Sequence, residues 1–329
     1  MSDISPATGK LLALSMLRGI GPATLRKMAA MPNFETATPE LLSHQFPSNS
    51  SVLRDQQAWS LALDEAEKQL EEAERHSARI LSALDPDYPT LLSATKDDPF
   101  LLFVRGILAP SPAKSVAVIG TREPTSHGTI IGQRITQYLV EQGWSVVSGL
   151  AKGCDAIAHQ AALDHDGHTV AVLAHGLHTV APKTNLRLAE EILNKGGALV
   201  SEYKFGVEPR PEFFVKRDRI QAGMAQGVVM IQSDHKGGSL HASRAALDYS
   251  RWLAVPYPTD QDRQKGEAKI QANLTIAEGL EQERMELLRC PAHALDRIIV
   301  LRSREDYAKM VANKSAPESA LPPTQGGLL

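Results

Sequence analysis

Small residues and cations follow several short apolar runs of this chain. Gly120-Thr121-Arg122 comes after residues 115–119, and Gly149, Lys152 and Gly153 come after 144–147. Lys183 and Asn185 lie beyond 169–173, and Gly238 and Ser239 beyond 228–231. Where a strand runs into a helix through small residues, backbone N–H groups and the positive helix end face whatever approaches, so the chemistry on offer is anion binding. Arg122 would add a planar charge suited to phosphate. A plain βα turn with a surface arginine, and a solvated Lys183, are the alternatives.

The segment Phe213-Phe214-Val215-Lys216-Arg217-Asp218-Arg219 sets two aromatics before three cations. Bases can stack on such rings while phosphates pair with the charges, although adjacent phenylalanines also serve as core. Gly19-Ile20-Gly21 between two apolar-periodic stretches looks like a helix-hairpin-helix turn, offering N–H groups to a DNA phosphate or serving packing alone. Asp155 and His159 read as helix architecture, with Asp155 a candidate N-cap. His165, His168, His175 and His178 form two pairs, but no cysteine or carboxylate set completes a metal shell. Gly120-Thr121-Arg122-Glu123-Pro124 lacks the Gly-x-Gly-x-x-Gly fingerprint, so no cofactor and no catalytic residue is assigned.

Positioning these residues requires a sheet. β-branched runs at 115–119, 144–147, 169–173, 198–200, 228–231 and 252–255, with room for a helix between neighbours, predict a parallel, doubly wound α/β domain over 101–290. Ligands of such sheets bind beyond the carboxyl ends of the strands, where three of these turns would converge. Before it, residues 1–80 predict an all-helical unit, with helices near 9–17 and 22–30 and a longer one over 51–77 whose apolar side is Leu53, Trp59, Leu61, Leu63, Ala66 and Leu70. Residues 81–100 read as a proline-rich connector. Residues 291–313 predict a short helix, and the Pro-, Ser- and Gly-rich stretch 314–329 a disordered tail.

The 329 residues are 43% apolar and 22% charged, which suits a globular protein of two domains and excludes a helical membrane span. The opening residues lack a basic start and an apolar signal core, and two cysteines give no disulfide framework, so a cytoplasmic protein is expected. With 35 basic against 38 acidic residues, any polyanion site must be local.

Eight short motifs appear in the order found in the DprA/Smf family, which the chain resembles over about 84–280. They are Phe103-Val104-Arg105-Gly106, Val118 to Arg122, Val147 to Asp155 with His159, Gly176-Leu177 with Pro182, Lys183 and Asn185, Ser201-Glu202-Tyr203, Arg217 to Ile220, Gly238-Ser239-Leu240, and Ala254-Val255-Pro256. The resemblance implies an extended Rossmann-like domain that binds single-stranded DNA in a basic pocket, helps load the RecA recombinase and forms a homodimer. It implies phosphate contacts from Arg122, Lys183, Arg217 and Arg219, with Gly120, Thr121, Gly149 and Ser239 shaping the pocket. Lys152, Gly153, Asn185, Lys216 and Gly238 belong to the same expected site. The family's Arg-Asn-Arg is Arg217-Asp218-Arg219 here, and no winged helix is expected after residue 290.

Two other functions use the same fold. A nucleotide-signal sensor would bind one small phosphorylated ligand. A phosphoribohydrolase of the Lonely Guy type would need a carboxylate where this chain has His241 and Ala242.

Overall fold

The computed structural model describes residues 4–109 and 114–313. Nine strands form one sheet: β1 (Ala78–Ser82), β2 (Leu101–Gly106), β3 (Ser115–Ile119), β4 (Ser145–Ser148), β5 (Thr169–Leu173), β6 (Ala198–Ser201), β7 (Gly227–Met230), β8 (Trp252–Pro256) and β9 (Ile298–Leu301). Their order is β1-β2-β6-β5-β4-β3-β7-β8-β9. The strands from β6 across to β9 pair in parallel, whereas β1 and β2 are antiparallel additions at the β6 side. All six strand runs read from the sequence are present.

The parallel strands β3 to β8 are buried on both faces, which explains runs such as Ser115–Ile119 that show no polar alternation, whereas β9 at the edge is buried on one face. Alternate residues still separate the two faces. Val116 and Val118 pack with Ile135, Leu139 and Ala158, from the helices Ser126–Glu141 (α7) and Cys154–Asp164 (α8), on one side. Ala117 and Ile119 pack on the other with Ile220, Leu240 and Ala246, from Pro211–Gly223 (α10) and Ser239–Asp248 (α11). The crossover helix between β5 and β6 is Leu186–Asn194 (α9), and Asp260–Gln264 (α12), Gln271–Glu278 (α13) and Glu281–Leu288 (α14) connect β8 to β9. The chain builds outward from β3 through β4 and β5 to β6, then crosses back to β7 on the other side of β3. That reversal puts a switch point between β3 and β7, and α10, the crossover that makes it, spans the crevice.

The helical part contains Pro6–Met16 (α1), Pro22–Ala29 (α2), Pro39–Gln45 (α3), Ser50–Arg54 (α4) and Gln56–Arg75 (α5), and the single turn Thr90–Ser93 (α6) follows in the connector. The expected helix over 51–77 is broken at Asp55, whose carboxylate caps α5 by accepting from the Gln57 and Ala58 N–H groups at 2.9 and 3.0 Å. Its buried face is Ala62, Ala66, Gln69 and Ala73, at helical spacing; Leu61 and Leu63 are 62% and 55% exposed. Gln69 reaches across to Phe205, accepting its N–H at 2.8 Å.

Two expected boundaries move. Ala78–Ser82 is a strand within what reads as a helical unit and its connector, because its partner Leu101–Gly106 supplies the ladder that no local pattern reveals. The stretch 291–313 holds not one helix but a 3-10 segment (Ala292–Arg297), strand β9 and the helix Tyr307–Ala312, because Ile298–Leu301 is completed by β8. The tail 314–329 lies outside the described residues. Among those residues no helix is long and apolar enough to cross a membrane.

Candidate nucleic-acid interface

Beyond the carboxyl ends of β3 and β7 lies a cleft of about 470 Å³, roofed by α10. Gly120, Thr121 and Arg122 enter it from β3, Ser233 and Asp234 from β7, Gly238 and Ser239 from the start of α11, and Arg217 and Asp218 from α10. Arg122 is exposed, lies 5.7 Å from the centroid of the Phe214 ring and has no carboxylate partner among the described residues. Arg210, at the start of α10, sits over Phe213 at 5.6 Å, and Phe213 in turn stacks on Tyr203 at 4.4 Å. The two phenylalanines therefore carry cations on a half-buried aromatic ledge.

Lys152 and Lys183 are exposed on the loops after β4 and β5, the next two strands along this edge. Asn185 joins those loops, donating from its side-chain amide to the Leu150 carbonyl at 2.8 Å. Lys216 projects from the exposed side of α10. None of these three lysines has a carboxylate partner among the described residues, so the edge keeps its positive charge although the whole chain is slightly acidic.

Two arginines of the sequence-derived site are differently placed. Arg217 is 3% exposed and donates to the Val172 carbonyl at 3.0 Å. It lies 4.0 Å from Asp155 and 3.4 Å from Asp218, and the Gln221 side-chain oxygen, one helical turn on, accepts from both the Arg217 guanidinium and the Gly149 N–H. Arg217 is thus a buried charge at the back of the cleft, matched by the chain's own carboxylates. Arg219 makes a fork-on-fork pair with Glu202, both contacts 2.8 Å, and also donates to the Asp97 carbonyl at 3.1 Å. That pairing joins α10 to the segment after β6 and uses up the charge expected for phosphate.

The glycines have related reasons. A Cβ at Gly149 would collide with the Arg217 guanidinium, so this glycine admits the arginine. Gly153 has φ +77° and packs on the Thr121 and Arg122 backbone, locking the β3 and β4 loops together. Gly153, not Asp155, is the N-cap of α8; Asp155 lies inside the first turn and accepts from the Ala151 N–H at 3.3 Å. The Thr121 N–H is given to the Gln232 carbonyl at 2.8 Å. Gly238 caps α11 with open space around it, and Ser239 donates to Ser233 at 2.9 Å. At the start of α11 the Leu240 and His241 N–H groups already donate to the Gly237 and Gly238 carbonyls, which leaves the Gly238 and Ser239 amides to meet an anion.

Arg251 and Gln221 were not singled out by the sequence. Buried Arg251 closes the carboxyl end of α10 by donating to the carbonyls of Ala222, Gly223 and Ala225, which fixes the helix that carries the site. Gln221 is detectable only by its spacing of four from Arg217 on one helix face. His159 is buried, bonded to Thr169 at 2.7 Å and pushed down to about 3 by burial, so it is a neutral packing residue. His175 binds within its own loop, and among the described residues no three metal-ligating side chains gather.

Burial, with Asp155 beside it, outweighs Arg217 and Arg122 and pushes Asp218 up to about 7. Since this lies above the value in an unfolded chain, the stability that Asp218 contributes is complete at acid pH and lost as pH rises through 7. Its negative charge would also oppose an anion in the cleft. Anion affinity is expected to fall between pH 6 and 8, and Asp218→Asn to flatten that profile and raise affinity at pH 8 by about three- to tenfold. Anisotropy titrations across this range check it; an unchanged slope in the variant would detach Asp218 from the site.

The hairpin turn is at the same sheet edge. α1 ends beside Lys204, just past β6, whose amine lies 3.4 Å from the Met16 sulfur. Gly19 has φ +83°, Ile20 is buried, and Gly21 caps α2, so Ile20 anchors a turn whose flanking glycines face outward.

Fold and site together define an extended Rossmann-like protein with a basic cleft at its switch point. Residues 79–286 match the DNA recombination-mediator protein A family, and the chain belongs to that family. It is 37% identical over 194 residues to the protein Smf of Escherichia coli, covering 59% of this chain and 52% of that one. The chain spans 52% to 62% of the length of the first curated relatives it matches. Among solved structures it is similar to DNA processing protein A from Streptococcus pneumoniae, with TM-score 0.65 and 25% identity over 94% of this chain and 98% of that one. It is also similar to a Helicobacter pylori DNA processing protein A described for its single-stranded DNA binding mode, with TM-score 0.52 and 26% identity over 61% and 88% of the two chains.

Proposed function

We propose that this chain binds single-stranded DNA along the carboxyl edge of its sheet, acting in the cytoplasm as a homodimer that helps place a RecA-type recombinase on the strand. It does so as a binding protein, without catalysis. The observation that carries the reading is Arg122, exposed, unpaired and stacked on Phe214 at the mouth of the cleft, with Lys152 and Lys183 on the two neighbouring loops. Phosphates would meet these cations and the start of α11, while bases use the ledge of Phe213 and Phe214. Arg217 acts behind them by offsetting Asp155 and Asp218 and holding α10 in register; Arg219 acts through α10 alone. The hairpin at Gly19, Ile20 and Gly21 offers one further phosphate contact. The Helicobacter pylori relative supports the choice of ligand.

Three to four neutralised phosphates predict that log affinity for oligothymidylate falls with log salt at a slope of roughly −2 to −3. Duplex should compete poorly. Titrations of oligothymidylate, duplex and free nucleotides at two salt concentrations test this: equal affinity for mononucleotide and strand would overturn it in favour of a small-ligand sensor.

A further inference from the structure

A larger cleft, of about 790 Å³, lies outside the site just described, between the second half of α7 and the carboxyl ends of β8 and β9. Its walls carry Arg134 from α7 and Arg302 and Arg304 from the turn after β9. All three are exposed, and none has a carboxylate partner among the described residues. The carboxylates close to them are already engaged. Asp260 faces Arg263 at 3.4 Å, Glu278 accepts from the Tyr257 hydroxyl, Glu141 accepts from Gln137 at 2.9 Å, Asp306 takes the Arg302 and Ser303 N–H groups together with Lys309, and Glu305 accepts from Ser303 while feeling the Arg304 charge.

The arginines are also positioned. Arg302 lies 4.3 Å from the centroid of the Tyr257 ring and Arg263 5.3 Å from it, so this ring orders two guanidinium groups. Tyr307 packs against Tyr138 at 5.5 Å and feels the charges of both Arg134 and Arg304, which brings these two to one wall. Planar, partly ordered donors with no ion pair of their own among the described residues, set around a concave surface, suit oxygens that accept in pairs, which is the chemistry of phosphate. A lysine-lined, fully mobile surface would lack that order.

We propose that this cleft is a second phosphate-binding site, separate from the switch-point cleft, which takes a phosphate-bearing nucleotide. Two sources carry that chemistry, a free nucleoside polyphosphate and a length of the DNA strand. β9 lies three strand positions from β3 on the same edge, about 14 Å away, so one strand could reach both sites. The phosphate chemistry itself does not depend on what the first cleft binds.

The test uses the full chain with Arg302→Ala/Arg304→Ala, with Arg134→Ala as an independent variant on another element, and with Arg122→Ala to silence the first cleft. The probes are inorganic tripolyphosphate and ATP by calorimetry, and oligothymidylates of about six and about twenty nucleotides by anisotropy. The double substitution and Arg134→Ala are each expected to weaken at least one probe, the double by about tenfold or more, and that effect should persist in the Arg122→Ala background. Loss confined to ATP and tripolyphosphate identifies a free nucleotide as ligand, and loss confined to the longer oligonucleotide identifies the strand; either supports the site. Binding of all four probes within about twofold of the parent in both variants overturns it.

Discussion

Replacing Arg217 by alanine is expected to destabilise the protein by about 3–5 kcal/mol, because Asp155 and Asp218 would be left buried without their counter-charge. The Val172 carbonyl and the Gln221 oxygen would lose their donor in the same step. Arg217→Lys should recover little, since one ammonium cannot span the carbonyl, the amide and two carboxylates that the guanidinium meets. Urea unfolding of parent and variants measures this. A variant of parental stability that has lost only its affinity for DNA would show that Arg217 contacts the ligand and holds nothing else.

Arg122→Ala should do the reverse, cutting affinity for oligothymidylate by about tenfold or more while stability stays within about 0.5 kcal/mol. The side chain is exposed, makes no ion pair among the described residues and lies against the face of Phe214, with the charge of Asp218 within its reach. What is lost is one solvent-facing positive charge at the cleft mouth, so the salt dependence should also become shallower by nearly one phosphate equivalent. Anisotropy at two salt concentrations reads both quantities. Unaltered affinity would move the interface away from the switch point.

These opposite expectations for two arginines of one cleft show where local sequence stops being informative. Both follow strand or helix signals, and both sit among residues typical of a phosphate site. Periodicity and β-branched runs disclosed the parallel strands and hence the edge at which Arg122, Lys152 and Lys183 gather. They could not disclose that Arg217 points inward, because its partners, Val172, Asp155 and Gly149, come from β5, the first turn of α8 and the loop after β4. Arg219 is a similar case: Glu202 lies 17 residues away and beyond a bend. The outer strands were missed for the same reason. Ala78–Ser82 and Ile298–Leu301 are short, and each is defined by the ladder of a distant neighbour. Leu61 and Leu63 misled in another way, as apolar residues on the solvent side of α5 while the smaller Ala62, Ala66 and Ala73 meet the core.

Arg26 of the helical part reaches the fully buried Asp98 at 2.7 Å and lies over Phe100, directly before β2. The same helices share their apolar core with Phe103, Leu173 and Leu199 of the sheet. The hairpin turn is consequently bolted to the sheet instead of trailing from it on a tether. Any polymer touching both the turn and the cleft would have its path measured against a fixed ruler, with the gap between contacts set by architecture and no slack for a wandering linker to take up.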